Sequence, residues 1–241
     1  MAEPALTIPA VPLPAWHGTP RSPREAHYVG PTQTFDIPAD VRADFEAVLA
    51  DREKARAVRD DLALDEMAHR LDRHDARELS TTRFEVTDAS RELGEMAGEA
   101  FMDRQFPGAE KVYPPDGAPS RSGDFDQVWK AKDEHGRDIL VVVEAKGGSS
   151  GLGGRLLADG SYAQQGSAAY FDRIVEVMRQ SPTGAKVADE ISWHRTWDTV
   201  RYFEVRAPLK EEVDHTGTGK AKGHIELQPL QSREFDLSGR P

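Results

Sequence analysis

After residue 38, apolar residues recur at helical spacing. Val41, Phe45, Val48, Ala55, Val58 and Leu62 follow one another at steps of four, three, seven, three and four, with charged residues between them. That pattern predicts one long or two shorter solvated helices between Asp40 and about Asp75. A second helix is expected to start near Asp88–Ser90, where either residue can cap it, with Leu93, Met96, Ala97, Ala100 and Phe101 as its apolar stripe. Glu92, Glu95 and Glu99 share a side beside that stripe. The turn-rich stretch QFPGAEKVYPPDGAPSRSG then stops the helix, with room for a short strand at Lys111–Tyr113.

The period changes after that loop. From Asp124 to Ala131 the chain alternates, with Phe125, Gln127 and Trp129 on one side and Asp124, Asp126 and Val128 on the other. KDEHGRD turns the chain at Gly136, and Ile139 to Lys146 reads as a strand whose apolar part is continuous. A glycine-rich loop, GGSSGLGG, leads to a helix expected from about Tyr162 to Arg179, carrying Tyr170, Ile174, Val177 and Met178 on one face. Two more strands are expected at Val200–Arg206 and His224–Gln228. Helix, strands, helix, strands is the order of an α/β or α+β domain, a mixed sheet with helices against it.

Residues 1–38 are rich in proline and small residues without a sustained period, so they read as an extended leader or docking tail. The expected division is this leader, a helical segment at 39–80 serving delivery or docking, and the main domain at 85–241. No apolar stretch approaches the roughly 20 residues of a membrane helix. The first residues, MAEPALTIPAVPLPAW, lack a basic region and are broken by prolines, unlike a cleavable signal peptide. There is no cysteine, which excludes disulfides, thiolate nucleophiles and cysteine–zinc sites. The net charge of -11 argues against a protein that coats nucleic acid through a basic surface, though not against an enzyme with a locally basic groove.

The candidate chemistry lies where the apolar strand ends. Glu144 and Lys146 are two apart and therefore point to one face. A short hairpin brings Asp126 of the preceding strand to the same end of the sheet. Two converging carboxylates make a hard oxygen site suited to Mg²⁺. A lysine beside them can hold or activate a water and stabilise charge on a phosphate. An E-x-K tripeptide alone is as readily an edge salt bridge. Its place after an apolar strand, beside an Asp-bearing strand and before glycines that permit close approach, favours a site.

With these residues in view, FDQVW…ILVVVEAKGGSSGLGGR…YAQQGSAAYFDRI resembles the PD-(D/E)XK restriction-endonuclease-like nucleases, especially their polymorphic-toxin branch, over roughly Thr87 to Ile174. The resemblance implies Asp126 and Glu144, with the Ala145 carbonyl, as ligands of Mg²⁺ or Mn²⁺, and Lys146 as the residue acting on water. It also implies Glu95, the acidic residue of the preceding helix, as a further metal ligand completing the shell, and Gln165 or Gln164 as the polar residue of the following helix. Arg155 reads either as a phosphate contact or as a solvated side chain. The literal Pro-Asp pair is Pro115-Asp116, inside the turn PPDG, so Asp126 is preferred, with Asp124 on the same face as second choice.

The implied function is a metal-dependent nuclease acting as a bacterial toxin or effector. DNA is favoured over RNA because most of that superfamily cuts DNA. The implied partners are a cognate immunity protein and a delivery apparatus reached through the N-terminal part, with no membrane role. The protein would be cytoplasmic in the producer and then delivered to a target cell. The rival expectations are a restriction or repair nuclease serving its own cell, and a non-catalytic binding module on the same fold. Other motifs fail on spacing: GGSSGLGGR lacks G-x-G-x-x-G, DHTGTGKAK lacks the first glycine and the Ser/Thr of a phosphate loop, and HExxH does not occur.

Overall fold

The continuous apolar strand is buried on both sides. Alternation sends Ile139, Val141 and Val143 into one core and Leu140 and Val142 into another, and a strand covered on both faces reads as an unbroken hydrophobic run. The computed structural model describes residues 24–115, 118, 121, 123–211 and 225–238. Asp116, His224 and the stretch DHTGTGKAK lie outside the described residues, as does most of the leader.

In chain order the elements are β1 (Gln33–Phe35), α1 (Arg42–Met67), α2 (Arg73–Gln105), β2 (Glu110–Tyr113), β3 (Gln127–Lys132), β4 (Asp138–Gly147), β5 (Gly154–Leu156), β6 (Tyr162–Gln164), α3 (Ala168–Arg179), α4 (Ala185–Thr196), β7 (Val200–Ala207), β8 (Leu209–Glu211), β9 (Ile225–Leu227) and β10 (Leu230–Glu234). Six strands form the central mixed sheet in the order β1-β10-β7-β4-β3-β2, while β5–β6 and β8–β9 form small ribbons. Among the described residues only β4 and β7 pair in parallel, Glu144 opposite Glu204 and Lys146 opposite Arg206. The crossover between them runs through α3 and α4, as a parallel connection requires. Helices α1 and α2 cover one face with Phe45, Leu93 and Phe101, and α3 and α4 cover the other with Phe171, Ile174 and Ile191. The result is an α+β fold with helices on both faces of a mixed sheet.

Several expectations are corrected. The second helix begins at Arg73, capped by Asp72, whose carboxylate accepts from the backbone N–H groups of His74 (2.7 Å) and Asp75 (2.9 Å). The candidate cap Ser90 lies inside that helix, its hydroxyl donating to the Val86 carbonyl at 2.7 Å. Thr81, Thr82 and Thr87 likewise donate to carbonyls one turn back, so residues that favour caps are absorbed into a continuous helix. The expected division between 80 and 85 therefore falls within α2. Strand β3 starts at Gln127, not Asp124, and Phe125 packs against Phe171 and Tyr202 on the face opposite Trp129. Residues 162–164 pair with β5 before α3 begins, and α4 and β10 were not anticipated.

The leader reading also needs revision at its C-terminal end. β1 extends the central sheet, and Phe35 and Ile37 are core residues. Tyr28 stacks on Phe235 and donates to the buried Glu204 carboxylate at 2.7 Å. An extended leader reaching to residue 38 therefore does not describe these residues. A chain beginning at Pro38 is expected to lose at least about 3 kcal/mol, the scale of a single large-to-small core change. Urea unfolding checks this, and an unchanged midpoint would contradict it.

Candidate active site

Asp126 is the residue immediately before β3, and the hairpin register (Gln127 opposite Val143) sets it beside the end of β4. Its Oδ2 accepts from the Ala145 backbone N–H at 2.8 Å. The Asp126 and Glu144 carboxyl groups come within hydrogen-bond reach of each other. Glu144 is 1 % exposed, a depth at which a charge is costly without partners. Its Oε1 accepts from the Tyr202 hydroxyl at 2.6 Å, and its Oε2 accepts from Gln165 Nε2. Lys146 Nζ lies 3.9 Å from that same Oε2.

Gln165 is locked in turn, its Oε1 accepting from the Gly153 N–H at 3.1 Å. The glycine-rich loop thereby braces the residue that braces Glu144. Gln164 does something else: its Oε1 accepts from the Ala26 N–H at 3.1 Å, tying down the N-terminal segment. Of the two glutamines, only Gln165 reaches the carboxylates. Asp124 accepts from the Tyr113 hydroxyl instead, so Asp126 is the aspartate brought to Glu144. Arg155 Nη1 donates to the Gly123 carbonyl at 3.1 Å, which holds the loop leading into Asp126.

Glu95 is placed one remove away. Its carboxylate binds Arg91 Nη1 at 2.6 Å, and Arg91 supplies positive charge that favours ionised Asp126. The Glu95 carbonyl accepts from Gln127 Nε2 at 2.8 Å, joining α2 to the start of β3. Two glycines allow α2 to approach so closely. A Cβ on Gly94 would meet the Gly147 nitrogen at 2.9 Å, and one on Gly147 would overlap the Ser90 carbonyl. Gly147→Ala must therefore push helix and strand apart and is expected to destabilise the fold by about 1–3 kcal/mol or more. A melting temperature equal to wild type would contradict this packing.

Comparison with protein families, curated proteins and solved structures returns no match.

Burial, and then the neighbouring Asp126 carboxylate, push Glu144 up to about 8 from an ordinary 4.5. Burial also raises Asp126, opposed by Lys146 and by the Ala145 N–H. Tyr202 and Tyr170 are raised by burial and by the negative charge of Glu144. Shifts of this kind, gathered at one place, are frequent at functional sites and also arise in buried structural networks. Sequence reasoning missed Tyr202, Tyr170 and Arg91. The only available signals were the Arg91–Glu95 helical spacing and Tyr202's phase within an expected strand. A separate group, His74, Asp75 and Glu78, lies near the start of α2 and is largely exposed. Acidic residues at that position also favour the helix dipole.

The raised carboxyl has a consequence for stability. Between about 4.5 and about 8 the folded chain retains a proton on Glu144 that the unfolded chain has lost. With metal chelated, its contribution to stability falls as pH rises across that window and levels off above it. The shift of Asp126 has the same sign. The melting temperature of Glu144→Gln relative to wild type is expected to rise across the same window. A difference independent of pH would contradict the buried-acid reading.

Proposed function

We propose that this protein is a divalent-metal-dependent nuclease with a restriction-endonuclease-like core. The observation that carries the reading is the meeting of Asp126 with the buried Glu144 at the end of β4, with Lys146 Nζ 3.9 Å from Glu144. The donor set fits a hard cation. Two carboxylates crowd one place at a cost that a divalent ion offsets, and each Glu144 oxygen accepting a hydrogen bond keeps a second lone pair. Asp126 and Glu144, joined by the Ala145 carbonyl, would hold Mg²⁺ or Mn²⁺. When bound, the ion would polarise a phosphoryl oxygen and lower the pKa of water.

The chain's own residues supply the rest. Gln165 and Tyr202 hold the Glu144 carboxylate in one orientation, and the Ala145 N–H does the same for Asp126. Lys146 would orient the attacking water and meet the negative charge developing on the phosphate. Glu95 acts through Arg91 as a positioning residue. An effector role, with DNA favoured as substrate, an immunity partner, and delivery from the producer's cytoplasm, rests on the resemblance to the polymorphic-toxin nucleases.

Incubation of purified protein with plasmid DNA and, separately, total RNA, in Mg²⁺ or in EDTA, tests the reading. Cleavage of DNA that EDTA stops is expected. Failure to cut either polymer with Mg²⁺ or Mn²⁺ would overturn it.

A further inference from the structure

Away from the carboxylate site, a cavity of about 540 Å³ opens between the first half of α1 and the second half of α2. This is within the roughly 300–1,000 Å³ range of ligand-sized clefts. Its floor is apolar. Val41, Val48 and Met96 lie there half-buried on the core, with side chains that no other described element covers completely. Its rim is acidic, formed by Asp40, Asp44, Glu92 and Asp103.

Among the described residues these four carboxylates are uncompensated: none of them has a lysine, arginine or histidine partner in an ion pair. Glu99, which also lines the cavity, is different, because Lys111 neutralises it at 2.6 Å. Nearby arginines are turned elsewhere: Arg42 donates to the Ile37 carbonyl, and Arg104 lies over the Phe35 ring. Asp40 and Asp44 sit at the start of α1, where its dipole favours them. Asp103 sits in the last turn of α2, where the dipole disfavours a carboxylate. Helix stability therefore does not account for the full set.

We propose that this groove docks a cationic amphipathic segment of a partner protein, apolar side chains on the floor and lysines or arginines against the four rim carboxylates. The charges exclude the main alternatives. Nucleic acid would be repelled by this rim, so the groove is no part of a polynucleotide path. A second copy of a chain carrying a net charge of -11 is likewise disfavoured. The apolar floor selects for a segment with hydrophobic side chains over a simple polycation, in the manner of amphipathic helices bound in grooves. The proposal does not depend on the nuclease reading.

Fluorescence anisotropy with three labelled peptides tests it. The first carries leucines at helical spacing with lysines between them, the second replaces the leucines with serine, and the third replaces the lysines with glutamate. Only the first should bind. Asp44→Lys/Glu92→Lys should weaken it by about tenfold or more, equivalent to about 1.4 kcal/mol. Glu134→Lys/Glu176→Lys, with the same change in net charge at exposed positions outside the groove, should leave it nearly unchanged. Melting temperatures establish that both variants are folded. Equal binding of the serine peptide, equal losses in the two double variants, or no binding of the first peptide would each overturn the proposal.

Discussion

Replacing Glu144 with Gln is expected to abolish cleavage while making the metal-free protein more stable. The substitution keeps the side-chain volume, and an amide can still pair with Gln165 and with a rotated Tyr202 hydroxyl. It removes a carboxylate that is buried and faces a second carboxylate, the two causes of its raised pKa. Thermal stability in EDTA should therefore rise, most clearly above about pH 8, where wild-type Glu144 is forced to ionise. The rate of hydrolysis should drop below about a thousandth of wild type, and stabilisation by added Mg²⁺ should disappear. Melting curves with and without metal, alongside a plasmid assay, read all three effects. A Glu144→Gln protein that is less stable and still cuts would identify Glu144 as a structural partner of Lys146.

Lys146→Ala separates catalysis from metal binding. Both carboxylates remain, so Mg²⁺ should still raise the melting temperature. Hydrolysis should nevertheless fall by roughly 10²–10³, the usual loss when a group stabilising developing charge is removed. The 3.9 Å separation from Glu144 is long for a tight ion pair, and the ammonium is mostly buried, so a simple surface salt bridge describes it poorly. Single-turnover cleavage at saturating Mg²⁺ measures the effect. A folded variant cutting at the wild-type rate would remove Lys146 from the chemistry.

What the sequence disclosed follows from the range of each physical signal. The β3–β4 hairpin was legible because strand alternation, a glycine turn and an apolar run all act locally, and they brought Asp126, Glu144 and Lys146 to one end of the sheet. Asp126 itself was assigned to a strand that starts one residue later, since alternation cannot mark where pairing begins. Tyr202 was not legible, because it reaches Glu144 through a parallel pairing across a two-helix crossover. The choice between Gln164 and Gln165 depends on a small ribbon, β5–β6, that carries no strong periodic signal over three-residue strands. The N-terminal segment was misjudged at Tyr28, Phe35 and Ile37. Proline-rich composition speaks for the average of a segment, whereas a few aromatic anchors suffice to fix part of it to the sheet.

The most direct measurement is plasmid cleavage by wild type and Asp126→Asn side by side, in Mg²⁺ and in EDTA, with circular dichroism showing that both are folded. The asparagine retains an oxygen to accept the Ala145 N–H, so the loop before β3 should keep its place. Wild type should nick and then linearise the plasmid only with metal, and the folded variant should leave it supercoiled. Cleavage by folded Asp126→Asn at the wild-type rate, or cleavage by wild type that continues in EDTA, would contradict a metal-dependent site built on Asp126 and Glu144.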